Sequence, residues 1–170
     1  MATPVSRLND LDLTVLAERL GELCRQHGIT VTAAESCTGG GVSSAITAVA
    51  GSSDWFETGY VTYANGAKAR LLGVPEALLA EHGAVSREVV EAMVAGACRD
   101  SGAGLGVAIS GVAGPGGGSA DKPVGTVWLA WGDTERAESA CHHYDGERAA
   151  VREQAVREAL IGLVRRLEPR

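Results

Sequence analysis

Apolar residues recur at helical spacing in three long stretches of the chain and cluster in five short ones. From Leu11 onward, Leu13, Leu16, Leu20 and Leu23 fall on one helical face, and His27-Gly28 ends that pattern. Residues 29–34 are short and rich in β-branched side chains, between Gly28 and a turn at 36–41, and predict a strand. A small-residue helix over 41–49 is broken by Gly51-Ser52-Ser53, and residues 56–63 read as the next strand. Residues 67–72 form a short helix stopped by Gly73, and Pro75 can open another in its first turn. Ser86 is an N-cap for a helix carrying Val89, Val90, Met93, Val94 and Ala97. Residues 105–109 are continuously apolar, as in a strand buried on both faces. After a glycine-rich loop over 114–122, residues 124–131 and 138–144 predict two strands close enough to pair as a hairpin, and 147–167 a long amphipathic helix.

Helices and strands alternate first, and then two strands run together. That order predicts an α/β fold, a three-layer α/β/α sandwich with a mixed β-sheet. Residues 1–10 read as a loose lead-in and 11–168 as a single domain. The length supports one core: a chain of 170 residues buries about 68–70% of its unfolded surface. No apolar run approaches the 18 or so residues of a spanning helix, and the first residues lack the basic and apolar regions of a signal peptide. A net charge of −6 argues against a nucleic-acid-wrapping surface. Cys24, Cys37, Cys98 and Cys141 show neither a paired motif nor ligand-like spacing with histidine, so reduced thiols and a cytoplasmic location are expected. His142 and His143 on a strand would point to opposite faces, so no metal site is expected.

Four segments could carry chemistry. Ala34-Glu35-Ser36-Cys37-Thr38-Gly39-Gly40 lies between a strand and a helix, where hydroxyls and unpaired N–H groups suit a phosphate or carboxylate; Ser36 or Thr38 could equally cap the helix. Gly51-Ser52-Ser53 is followed by Tyr63 and Lys68. A serine nucleophile needs a base, and a lysine neutralised by burial can serve, but a turn and a solvated lysine explain the same residues. Eight extended residues between Ser53 and Lys68 would cover about 26 Å, so the two meet only if the strand bends or a second subunit intervenes. Ser110-Gly111 leads off a buried strand into the glycine-rich loop, which is either flexible surface or an anion nest. Arg148 at the start of the last helix could fork onto a phosphate or pair with neighbouring carboxylates.

In order along the chain, Ala34–Gly40, Gly51-Ser52-Ser53, Val61-Thr62-Tyr63-Ala64-Asn65 with Lys68, His82–Ser86, Ile109–Gly117 and Lys122–Val127 together resemble the CinA C-terminal domain family, over residues 10–165. The resemblance implies the same three-layer fold and hydrolysis of nicotinamide mononucleotide to nicotinate mononucleotide and ammonia, which returns the pyridine ring to NAD synthesis. With no molybdopterin-binding-like domain ahead of it here, the chain is expected to resemble the stand-alone, PncC-like deamidases. Carried over by the resemblance, Ser53 is the nucleophile, Lys68 its base and Tyr63 a neighbour lining the site. Ser36, Thr38, Gly39, Ser110 and Gly111 would contact substrate, and Arg148 its phosphate. No metal or cofactor is implied, because the cationic pyridinium already activates the amide. A small nucleotide is the expected partner, neither nucleic acid nor membrane, and a homodimer or higher homo-oligomer is expected. The alternative is a catalytically silent module that senses nucleotides or acts in competence and DNA damage.

Overall fold

The computed structural model describes residues 5–169. Seven helices and five strands follow one another as α1 (Val5–Asp10), α2 (Leu13–His27), β1 (Val31–Glu35), α3 (Gly41–Thr47), β2 (Phe56–Val61), α4 (Asn65–Leu72), α5 (Glu76–His82), α6 (Arg87–Ser101), β3 (Leu105–Gly111), β4 (Thr126–Gly132), β5 (Ala137–His143) and α7 (Arg148–Leu167). A short 3-10 turn over Ser52–Asp54 precedes β2. The strands form one sheet in the order β2-β1-β3-β4-β5. β1 is parallel to both β2 and β3, whereas β3–β4 and β4–β5 are antiparallel. The mixed sheet and its terminal hairpin are those the sequence predicts.

The side-chain alternation of the strands sorts the two faces. Ala33, Val107, Ile109, Val127 and Leu129 face the layer made by α2, α3 and α7. Ala34, Ala108 and Ala130 face the other layer, where Val89, Val90, Met93 and Val94 of α6 pack on them. Alanines on that face let α6 lie close to the sheet. The caps are those expected from the sequence: Ser86 Oγ accepts the Val89 N–H at 3.3 Å, and Gly28 ends α2 with a φ of 63°.

The N-terminal lead-in differs from expectation. Of residues 1–10, the first four lie outside the described residues, but Val5–Asp10 is helical and Leu8 is fully buried in the main core. Leu8, with Leu11 packed beside it, attaches this turn to the main core; so short a stretch carries too little periodicity to be read in advance.

α6 also meets α4 closely. A Cβ at Gly96 would lie 1.8 Å from the Leu72 carbonyl oxygen, which is backbone and cannot swing aside. Gly96→Ala is therefore expected to destabilise the protein by about 3 kcal/mol. The check is a urea unfolding midpoint that falls with an unchanged slope; an unmoved midpoint would mean that α4 gives way freely.

Candidate active site

In open α/β sheets, ligands collect beyond the carboxyl ends of the strands, where successive connections leave in opposite directions. β1 is that point, because the chain continues from it to β2 on one side and later to β3 on the other. The carboxyl ends of three parallel strands meet there: Glu35 of β1 is opposite Val61 of β2 and Ile109 of β3. Ser36, Thr62-Tyr63 and Ser110-Gly111 therefore share one edge. They border a cleft of about 300 Å³ whose walls include Ser36, Cys37, Tyr63, Lys68, Ser110, Gly111 and Arg148. A larger hollow of about 730 Å³ adjoins it, sharing Ala113 and Arg148; its lining includes Glu147 and Arg152 but no serine, cysteine or lysine.

Lys68 is the chemical centre of the cleft. It comes from α4, is only 1% exposed, and its Nζ lies 3.0 Å from Ser36 Oγ, 2.9 Å from the Thr62 carbonyl and 3.0 Å from the Tyr63 carbonyl. Burial lowers its pKa from the ordinary lysine value, since the charged form loses hydration. No carboxylate appears among its hydrogen-bond partners to offset that loss. A neutral amine has two N–H donors and one lone pair, which matches two carbonyls and one hydroxyl. In that form Nζ would accept the Ser36 hydroxyl proton across the 3.0 Å contact, whereas in the charged form it donates to Ser36 Oγ.

The turn carrying Ser36 is fixed from beneath by Glu35. This fully buried carboxylate accepts Thr38 Oγ1–H at 2.7 Å and the Val42 N–H at 2.8 Å on one oxygen. Its other oxygen accepts the Ser43 N–H at 3.0 Å and Ser43 Oγ–H at 2.8 Å. Four donors satisfy both oxygens, and two of them are N–H groups opening α3. The Ser36 N–H donates to the Ile109 carbonyl at 3.0 Å, and the Val112 N–H to the Thr126 carbonyl at 2.8 Å. Neither is therefore available to stabilise an oxyanion. Cys37, beside Ser36, has its thiol pushed up to about 11 by burial, so it is protonated at neutral pH and is not a thiolate nucleophile.

The expected pairing of Ser53 with Lys68 is not what the structure brings together. Ser53 sits in the 3-10 turn before β2, with its residue exposed, and Lys68 follows the other end of that strand. The six residues of β2 separate the two by about 20 Å at 3.3 Å each. Because β1 and β2 are parallel, Ser53 lies beside the start of β1, where the Val31 N–H donates to the Trp55 carbonyl, and Ser36 lies beside its end. The hydroxyl within reach of Lys68 is therefore that of Ser36.

The other candidates divide. Tyr63, Ser110, Gly111 and Arg148 line the cleft; Arg148 donates to the Gly114 carbonyl at 2.9 Å and to Tyr63 Oη at 3.3 Å. Thr38 and Gly39 do not line it. Thr38 is 1% exposed with its hydroxyl on Glu35, and Gly39, at φ 59°, closes the turn onto the Ser36 carbonyl. The sequence reading assigned no role to Glu35 or to Arg152, which donates from Nε to the Cys37 carbonyl at 3.0 Å and from Nη2 to the Thr38 carbonyl at 3.3 Å. Arg152 is four residues beyond Arg148, on the same helix face, and that spacing was the available signal.

The CinA C-terminal domain family matches residues 13–167. The nicotinamide-nucleotide amidohydrolase PncC of Pseudomonas putida is 62% identical over 152 residues, covering 89% of this chain and 95% of that protein. The protein of the same name from Escherichia coli K12 is 52% identical over 155 residues, covering 90% and 93%. Among solved structures, a CinA superfamily protein from Klebsiella pneumoniae superposes with a TM-score of 0.89 at 38% identity, covering 92% of this chain and 98% of that one.

Proposed function

The chain belongs to the CinA C-terminal domain family, and on that premise we propose that it is an amidohydrolase that deamidates nicotinamide mononucleotide, with Ser36 as nucleophile and Lys68 as its base. The observation that carries the reading is the 3.0 Å approach of a buried, charge-disfavoured Lys68 amine to Ser36 Oγ, in a cleft at the carboxyl ends of the strands. The names of the relatives supply the substrate class.

In this mechanism Ser36 Oγ attacks the carboxamide carbon while its proton passes to Lys68 Nζ. The proton then goes to the departing nitrogen, the C–N bond breaks and ammonia leaves, with an acyl ester on Ser36. Water attacks the ester and gives a proton to Lys68; the ester bond breaks, Ser36 Oγ recovers that proton and nicotinate mononucleotide departs. General-base assistance of this kind contributes about 10²–10⁴-fold. The pyridinium of the substrate withdraws electron density from the amide, so the residues need supply only the nucleophile, the base and a place for the oxyanion.

Arg148 lines both the cleft and the adjoining hollow and suits the 5′-phosphate. Arg148→Met is expected to raise KM for nicotinamide mononucleotide by about 10- to 100-fold, the worth of a charged hydrogen bond of about 1.5–3 kcal/mol, and to leave the phosphate-free riboside unaffected. Equal losses on both compounds would remove Arg148 from the phosphate.

We also propose a cytoplasmic location and a homo-oligomer; sedimentation of the purified chain would check the oligomeric state. The direct test of the amidohydrolase reading is ammonia release from nicotinamide mononucleotide by the purified protein. Nucleotide binding without turnover would instead leave a silent sensing module.

A further inference from the structure

We propose that Arg152 is a positioning residue for the reaction, acting through the turn that carries Ser36; the inference rests on the Ser36–Lys68 reading. Among its contacts, its guanidinium reaches across from α7 and binds two successive carbonyls, those of Cys37 and Thr38, through Nε and Nη2. Among the described residues the Cys37 carbonyl accepts only from Arg152, whereas the Thr38 carbonyl also accepts the Gly41 N–H at 3.0 Å.

Arginine is suited to this work because its planar fork fixes two acceptors relative to each other, which a lysine ammonium cannot do. Glu35 grips the same turn through Thr38 Oγ1 and the opening of α3, so the turn is held between an anion inside the fold and a cation on α7. The contact is also close: a Cβ at Gly39 would lie 3.2 Å from Arg152 Nη2, so the glycine leaves room for the guanidinium. Ser36 is one residue from the first gripped carbonyl. Its Oγ must stay within hydrogen-bond reach of Lys68 and on line with the amide carbon, and a displacement of about 1 Å can cost 10²-fold in rate.

A ligand role would look different. Arg148, one turn earlier, lines the cleft; Arg152 does not, and lines only the adjoining hollow, with two of its nitrogens already committed to main chain.

The experiment measures kcat and KM for nicotinamide mononucleotide in Arg152→Ala and Arg152→Lys, with Ser36→Ala alongside. The expected result is a kcat lowered by about 10- to 100-fold in both variants, with KM within about twofold and the shape of the pH profile unchanged. Methylguanidinium added to Arg152→Ala should restore several-fold activity, and methylammonium should not. If Arg152→Ala fails to fold, Arg152→Lys carries the same kcat and KM comparison. An unchanged kcat, or a KM raised tenfold with kcat intact, overturns the proposal; the latter would make Arg152 a substrate ligand. Should Ser36→Ala stay active, the nucleophile reading itself falls; should it be dead while the Arg152 variants keep full kcat, only the positioning role falls.

Discussion

Replacing Ser36 with alanine is expected to reduce ammonia release from nicotinamide mononucleotide by about 10³-fold or more, the scale on which loss of an activated serine nucleophile is felt. The fold should survive. The Ser36 N–H contact to the Ile109 carbonyl is main chain and is kept by alanine, and Lys68 retains its two carbonyl partners. A thermal melt close to wild type, with activity gone, is the diagnostic combination. The contrasting variant is Ser53→Ala, which should retain activity within about twofold, because Ser53 is exposed at the opposite edge of the sheet. Were the two results exchanged, a nucleophile at the amino end of β2 would have to reach the amide by another route, and the Ser36 assignment would be wrong.

Lys68→Arg is expected to be as damaging as Lys68→Ala, with a loss of about 10²–10⁴-fold. It keeps a long basic side chain that can donate to the same carbonyls. What it removes is the ability to be neutral, since a guanidinium does not give up its proton in a protein. Substantial activity in Lys68→Arg would therefore mean that the cation, and not the base, matters. The wild-type enzyme adds a pH signature. Burial lowers the Lys68 pKa, so kcat/KM should rise with pH as the amine loses its proton and level off above the folded-state value. Stability follows the same proton. Between the folded-state pKa and the ordinary lysine value of 10.5, the unfolded chain binds a proton that the folded chain has released, so wild type should gain stability relative to Lys68→Met as pH rises through that window. A pH-independent difference between the two would contradict a depressed pKa.

The fold was largely legible in the sequence because its signals are local. β-branched runs mark β1, a continuous apolar run marks β3, and Gly28, Gly73 and Ser86 punctuate helices with conformations or hydroxyls that few other residues supply. Boundaries moved by a few residues where strands run into loops: β3 continues through Gly111 because Ser110 and Gly111 still pair with β4, although neither is a good strand former. The site was half legible. Lys68, Tyr63 and the Ser36 turn were all identified as candidates. The pairing was missed because the family resemblance points to Ser53, against the extended chain that separates it from Lys68, and only the parallel register of β1 and β2 decides which serine arrives at the amine. That register is a property of the assembled sheet. Glu35 and Arg152 were missed for a related reason: each grips main-chain groups of the Ser36 turn or the start of α3, and beyond the four-residue spacing of Arg148 and Arg152 such partners leave little trace in the pattern of residue types.

The anchoring of the amine by the Thr62 and Tyr63 carbonyls has a bearing on how this protein tolerates change. Those two acceptors are main chain, so replacements of the exposed Tyr63 leave the Lys68 nitrogen tethered, whereas Thr62 is fully buried and tolerates less. Remodelling the rim to admit a bulkier amide is thus separable from keeping the machinery in register. A variant library at Tyr63 can be screened for altered selectivity without first repairing the base, whereas an inserted or deleted residue between Val61 and Lys68 would unseat it.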